Sequence, residues 1–119
     1  MRRAEEQEVG ELNKRILIQI DQGTARTAAG DPVEDWVTWS GLSDGYCWAS
    51  IRQASGREVE RAAQQQVYAT HVITTRWIPG LTPVDMRATL NSRIFDFGIV
   101  ENVEEANVFA RITASERIA

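Results

Sequence analysis

In 119 residues the chain has one cysteine, Cys47, one histidine, His71, and one lysine, Lys14. A single thiol excludes an intrachain disulfide and leaves a cysteine-based zinc site without a ligand set, which fits synthesis in a reducing cytoplasm. A single imidazole excludes a histidine pair for a metal. Nothing approaches the ~20 consecutive apolar residues that cross a bilayer. Residues 1–8 are charged with no apolar run behind them, so neither export nor membrane insertion is expected. There is no glycine-rich phosphate loop followed by lysine, no acidic loop with calcium-binding spacing and no nucleophile elbow. No cofactor is expected.

What is present reads as a soluble, globular chain. A 43% hydrophobic and 25% charged composition over this length fits one compact core. A domain of this size buries roughly two-thirds of its unfolded surface, enough to stand without disulfides. The formal charge of −4 and an isoelectric point near 5.0 argue against tight, indiscriminate nucleic-acid binding, which needs cations on phosphates. Twelve of the 13 basic residues are arginine, the planar cation suited to fixed salt bridges.

Residues 1–13, with Glu5, Glu6, Glu8 and Glu11, read as a polar N-terminal arm, and 14–119 as one domain. Ile16, Ile18 and Ile20 alternate on one face of a first strand. Residues 21–34 are rich in turn formers and predict a long loop. Residues 35–39 look strand-like, and 46–52 alternate again. In Ser55-Gly56-Arg57-Glu58 a hydroxyl stands three residues before a carboxylate, the spacing of a capping box. It predicts the one convincing helix, reaching about Gln66, inside an insertion over 53–69. Residues 70–77 form a β-branched strand before the Pro79-Gly80 turn. Met86 to Leu90, the Asn91-Ser92 turn, and Arg93 to Val100 read as a hairpin, and Val108 to Ala114 as a closing strand. Six or seven short strands with one short helix predict a mainly β fold, a small barrel that closes its own edges. Strand parity puts Ile16, Ile18, Ile51, Ile73, Trp77, Leu90, Phe95, Phe97 and Ile112 toward the core.

Catalytic chemistry finds little support. His71 shares a face with Ile73 and Trp77, the setting of a structural histidine. The pairs Glu58 with Glu60 and Asp96 with Glu101 are the neighbours that a chain with 17 acidic residues produces by chance. An alternative from a different class remains open. Trp36, Trp39, Trp48 and Trp77 suit either packing or the stacking platform of an OB-like barrel that binds single-stranded nucleic acid, with Arg52, Arg76 and Arg93 supplying charge.

Taken in order, the motifs resemble the bacteriophage head–tail joining family, the head-closure, stopper or head–tail adaptor proteins of siphovirus-type phages, prophages and gene transfer agents. The carriers are Gly10-Glu11-Leu12-Asn13-Lys14-Arg15-Ile16 with Ile18-Gln19, Trp36, Trp48-Ala49-Ser50-Ile51, Ser55-Gly56-Arg57-Glu58 with Ala62, and Thr70-His71-Val72-Ile73-Thr74. Pro79-Gly80-Leu81-Thr82-Pro83, Met86-Arg87, and Arg93-Ile94-Phe95-Asp96-Phe97 with Val100 and Asn102 complete them. The sequence departs from the family pattern in a longer 21–46 region, in Asn91-Ser92 where a glycine-rich turn is common, and in Phe97-Gly98.

The resemblance implies a non-enzymatic virion protein of the phage neck, made in the host cytoplasm. It implies a hexameric or dodecameric ring between the portal–adaptor complex and the tail-terminator or tail tube proteins. Such a ring helps retain packaged DNA, which passes through the channel without sequence-specific contacts, and gives the tail its docking surface. For docking or channel closure the candidates are Ser55, Gly56, Arg57, Glu58, Arg61 and Gln65 in the insertion, then Arg26 and Asp31 in the 21–34 loop.

Overall fold

The computed structural model describes residues 12–23, 28–30 and 33–117. The strands are β1 (Lys14–Asp21), β2 (Trp36–Thr38), β3 (Tyr46–Gln53), β4 (His71–Arg76), β5 (Met86–Leu90), β6 (Arg93–Asn102) and β7 (Phe109–Glu116). One helix, α1 (Gly56–Gln64), separates β3 from β4. Every strand pairing is antiparallel, in the order β2-β1-β3-β4-β7-β6-β5, and a further pairing of β1 with β5 closes the sheet on itself. Six strands form the barrel, and β2 lies outside it.

β1 makes closure feasible because it serves three neighbours. Its first half, Lys14 to Leu17, pairs with β3, and its last residues, Gln19 to Asp21, pair with β2. Its other edge, Leu17 to Ile20, pairs with β5. Side chains alternate across the wall, so the isoleucines at even positions of β1 point inward. Ile16, Ile18, Ile73, Phe95 and Ile112 are fully buried and Phe97 nearly so, while Ile51, Trp77 and Leu90 pack partly buried against them. Every residue assigned to the core by parity belongs to this cluster. Small residues, Ala49, Ala88, Ala110 and Ala114, fill the wall between the large ones, as the narrow bore of a six-stranded barrel requires.

Two strands differ locally from the reading of the sequence, while the Asn91-Ser92 turn lies where it was expected. The strand expected over 35–39 is only Trp36–Thr38, because Trp39 turns inward and joins the core, 9% exposed. Its ring lies against Gly41: a Cβ there would stand 2.3 Å from two ring atoms. β6 continues to Asn102 and carries a bulge, Phe97 and Ile99 facing Ala114 and Thr113 with Gly98 between them. A Cβ on Gly98 would fall 2.4 Å from Val67 Cγ1, so the Phe97-Gly98 departure is the point where the insertion after α1 presses on the wall. At the β5–β6 turn Asn91 adopts φ 55°, the left-handed conformation a glycine would otherwise provide.

A groove between the helical insertion and the barrel wall

α1 is fixed at both ends. Ser55 is its N-cap: Ser55 Oγ accepts from Glu58 N–H at 3.2 Å, and Glu58 Oε1 accepts from Ser55 N–H at 2.9 Å. Glu58 is also gripped by Arg52, whose two terminal nitrogens each donate to one carboxylate oxygen at 2.7 Å. The Arg52 guanidinium first, then the Ser55 amide, hold the Glu58 carboxyl at about 2, against an ordinary 4.5. At the C-terminus Gln66 takes φ 61°, and the N–H groups of Gln66 and Val67 donate to the carbonyls of Ala63 and Ala62, both at 2.9 Å. That is a Schellman closure made without glycine.

The stripe of α1 at helical spacing, Glu58, Arg61, Ala62 and Gln65, faces a groove of about 340 Å³ whose far wall is Ile99, Val100 and Glu101 of β6 and Thr113 of β7. Glu58, Arg61 and Gln65 are thus brought together. Ser55 and Gly56 form the helix start, and Arg57 lies exposed outside the groove lining. Arg26 and Asp31 lie outside the described residues. The β6 and β7 wall was missed in the sequence because the bulge at Gly98 shifts strand parity just there. A phenylalanine-glycine pair inside a strand was the available signal.

A second cluster holds the chain around the 21–34 loop. Asp21 Oδ1 accepts from the amides of Gly23 at 2.9 Å and Asp35 at 3.1 Å, which lowers its carboxyl below the usual range. The Trp36 ring has the Arg87 guanidinium 4.2 Å and the Arg117 guanidinium 5.6 Å from its centre. Trp36 Nε1–H donates to Glu34 at 3.0 Å, and Arg117 donates to both Glu34 and Asp96. Trp36 first and Arg117 second keep the Glu34 carboxyl low.

Of the residues weighed for catalysis, His71, Glu58 and Asp96 are held by structural contacts. His71 Nδ1 lies 2.9 Å from Thr70 Oγ1, and its ring meets Phe95 edge-on at 5.3 Å. Its Nε2 stands 3.9 Å from Glu116, a carboxylate already bonded to Arg93. Glu58 and Asp96 are paired with Arg52 and Arg117. Burial pushes the Cys47 thiol up to about 11, away from the reactive thiolate. Among the four tryptophans Trp39 is buried, Trp36 lies between arginines, Trp77 packs partly into the core, and Trp48 is 57% exposed.

Closed antiparallel wall, helical insertion and the groove between them together define a small β-barrel with one helix packed into an inter-strand insertion. The chain belongs to the phage head completion protein family, whose model matches residues 8–117. It is a structural protein of the bacteriophage virion, of the head–tail class. Two solved structures share the fold. Protein SF1141 from Shigella flexneri 2a superposes with a TM-score of 0.64 at 20% identity, over 91% of this chain and 95% of that one. A chain from the virion of a native gene transfer agent particle superposes with a TM-score of 0.58 at 18% identity, over 91% and 97%. No curated protein sequence matches.

Proposed function

We propose that the chain is a head-closure connector, a subunit of a ring that seats on the portal–adaptor complex, helps retain the packaged DNA and offers the tail its docking surface. The observation that carries this reading is the family match, which runs through the whole barrel and the α1 insertion. The similar barrel in a gene transfer agent virion supports it. A ring subunit needs a rigid body with different contact surfaces on different sides. The closed sheet supplies the rigidity, and the α1 groove and the Trp36 cluster are two such surfaces. DNA passes without being gripped, as a chain of charge −4 favours.

Sedimentation or mass photometry of the protein, alone and with its portal–adaptor complex, tests the reading. A discrete ring of six or twelve subunits, or stoichiometric capture by the complex, is the expected result. A monomer that ignores the complex yet binds single-stranded oligonucleotides with steep salt dependence would overturn it. Within the connector, Arg57→Glu and Arg61→Glu should each weaken capture about tenfold, or ~1.4 kcal/mol. Their circular dichroism should not change.

A further inference from the structure

Among the described residues, the outer wall of the barrel carries added structure in two places and none in a third. α1 stands across a groove from β6 and β7, and Trp36 with its arginines lies over the wall at Arg87 of β5 and Asp96 of β6. Where β1, β3 and β4 run side by side, Trp48 is 57% and Tyr46 44% exposed. Arg15 of β1 stands directly opposite Trp48. On the other flank the pairing of Ala49 with Thr75 brings Arg76 alongside, so Arg15, Trp48 and Arg76 make one cross-strand row. Next to Trp48 a cavity of about 270 Å³ opens, lined also by Leu12, Leu42, Cys47 and Ile78, with Arg76 its one charged residue among those described.

We propose that this face docks an acidic polypeptide segment carrying one large apolar anchor, borne by another component of the virion; the proposal rests on the head–tail reading above. Size and charge both select that occupant. A cavity of ~150 Å³ already takes a benzene-sized group, so this one admits a single large side chain rather than the face of a helix. Arg15 is neutralised by Asp44 at 3.0 Å, whereas Arg76 has no carboxylate partner among the described residues. A carboxylate beside the incoming anchor completes the row. Tryptophan and arginine are among the residue types enriched at the few positions that carry most of the binding energy of protein interfaces. Nucleic acid fits less well: the Arg15 guanidinium already lies 4.7 Å over the Tyr46 ring, and phosphates require a run of free cations.

The test uses the full chain with Trp48→Ala, Arg76→Glu and, as a control, Tyr68→Ala, which removes an exposed ring beyond the other end of β4. Each variant, its fold confirmed by circular dichroism, is titrated against the portal–adaptor complex and against purified tails. Trp48→Ala and Arg76→Glu are expected to bind one of the two at least tenfold more weakly, and Tyr68→Ala within twofold of the parent. Unchanged binding of both variants to both partners overturns the docking face and leaves the connector reading standing. A parent chain that binds neither partner removes both.

Two other occupants are separated in the same series. Deleting residues 1–11, which include Glu5, Glu6, Glu8 and Glu11, should leave acrylamide quenching of tryptophan fluorescence unchanged. A twofold rise would assign the Trp48 cavity to the chain's own acidic N-terminal residues and overturn the proposal. Loss of self-association in Trp48→Ala and Arg76→Glu, with partner binding intact, would assign it to a second copy and overturn it equally.

Discussion

At the scale of single residues, Glu58 was visible in the sequence for its spacing from Ser55, but its bond to Arg52 was not. That partner lies on β3, and only the fold brings it within 2.7 Å. The consequence is a pH dependence. The folded state holds the Glu58 carboxyl at about 2 while the unfolded chain returns it to about 4.5. Its stabilisation is therefore fully present above about pH 4.5 and is lost as pH falls toward 2. Helical circular dichroism should decline over that window in the parent chain, and Glu58→Gln should lower the neutral-pH signal and flatten the acid limb. Gly41 carries a different constraint. An added methyl must displace the buried Trp39 ring, so Gly41→Ala should destabilise by about 1–3 kcal/mol in urea unfolding.

At the scale of elements, Ile16, Ile18 and Ile20 at period two located β1, and the β-branched run over 70–77 located β4, whose middle four residues are all buried. The start of α1 was legible for a similar local reason, since its cap is built from residues three apart. Its end was less so. The stretch of good helix formers runs past Gln64, and the stop is made by Gln66 in a left-handed conformation that sequence patterns assign to glycine. Gln66→Gly should relieve that conformation and raise stability by about 1 kcal/mol, measured as a higher midpoint in denaturant. The groove was half legible: Arg61 and Gln65 stood out on a helix, while Ile99 and Thr113 acquire their place only after the bulge at Gly98 resets β6. Trp39 was hard to place because the strand ends one residue before it.

At the scale of the whole molecule, most of the large buried side chains share the bore, while Val72 and Phe109, fully buried at the opposite parity of β4 and β7, lie outside that cluster. Phe95 is fully buried, with the Arg93 guanidinium and the His71 ring packed on its own ring. Phe95→Ala should cost about 3–5 kcal/mol, a large share of the ~5–15 kcal/mol that holds a domain folded. Thermal unfolding should show it as a single cooperative transition at much lower temperature. The three-sided pairing of β1 bears on how the chain reaches its native state at all. Gln19 and Arg87, bonded across the β1–β5 seam, are 68 residues apart, so a ribosome must finish most of the chain before the cylinder can shut. Until then β1 presents an open backbone edge, and a nascent subunit is most open to mispairing with its neighbours during that interval.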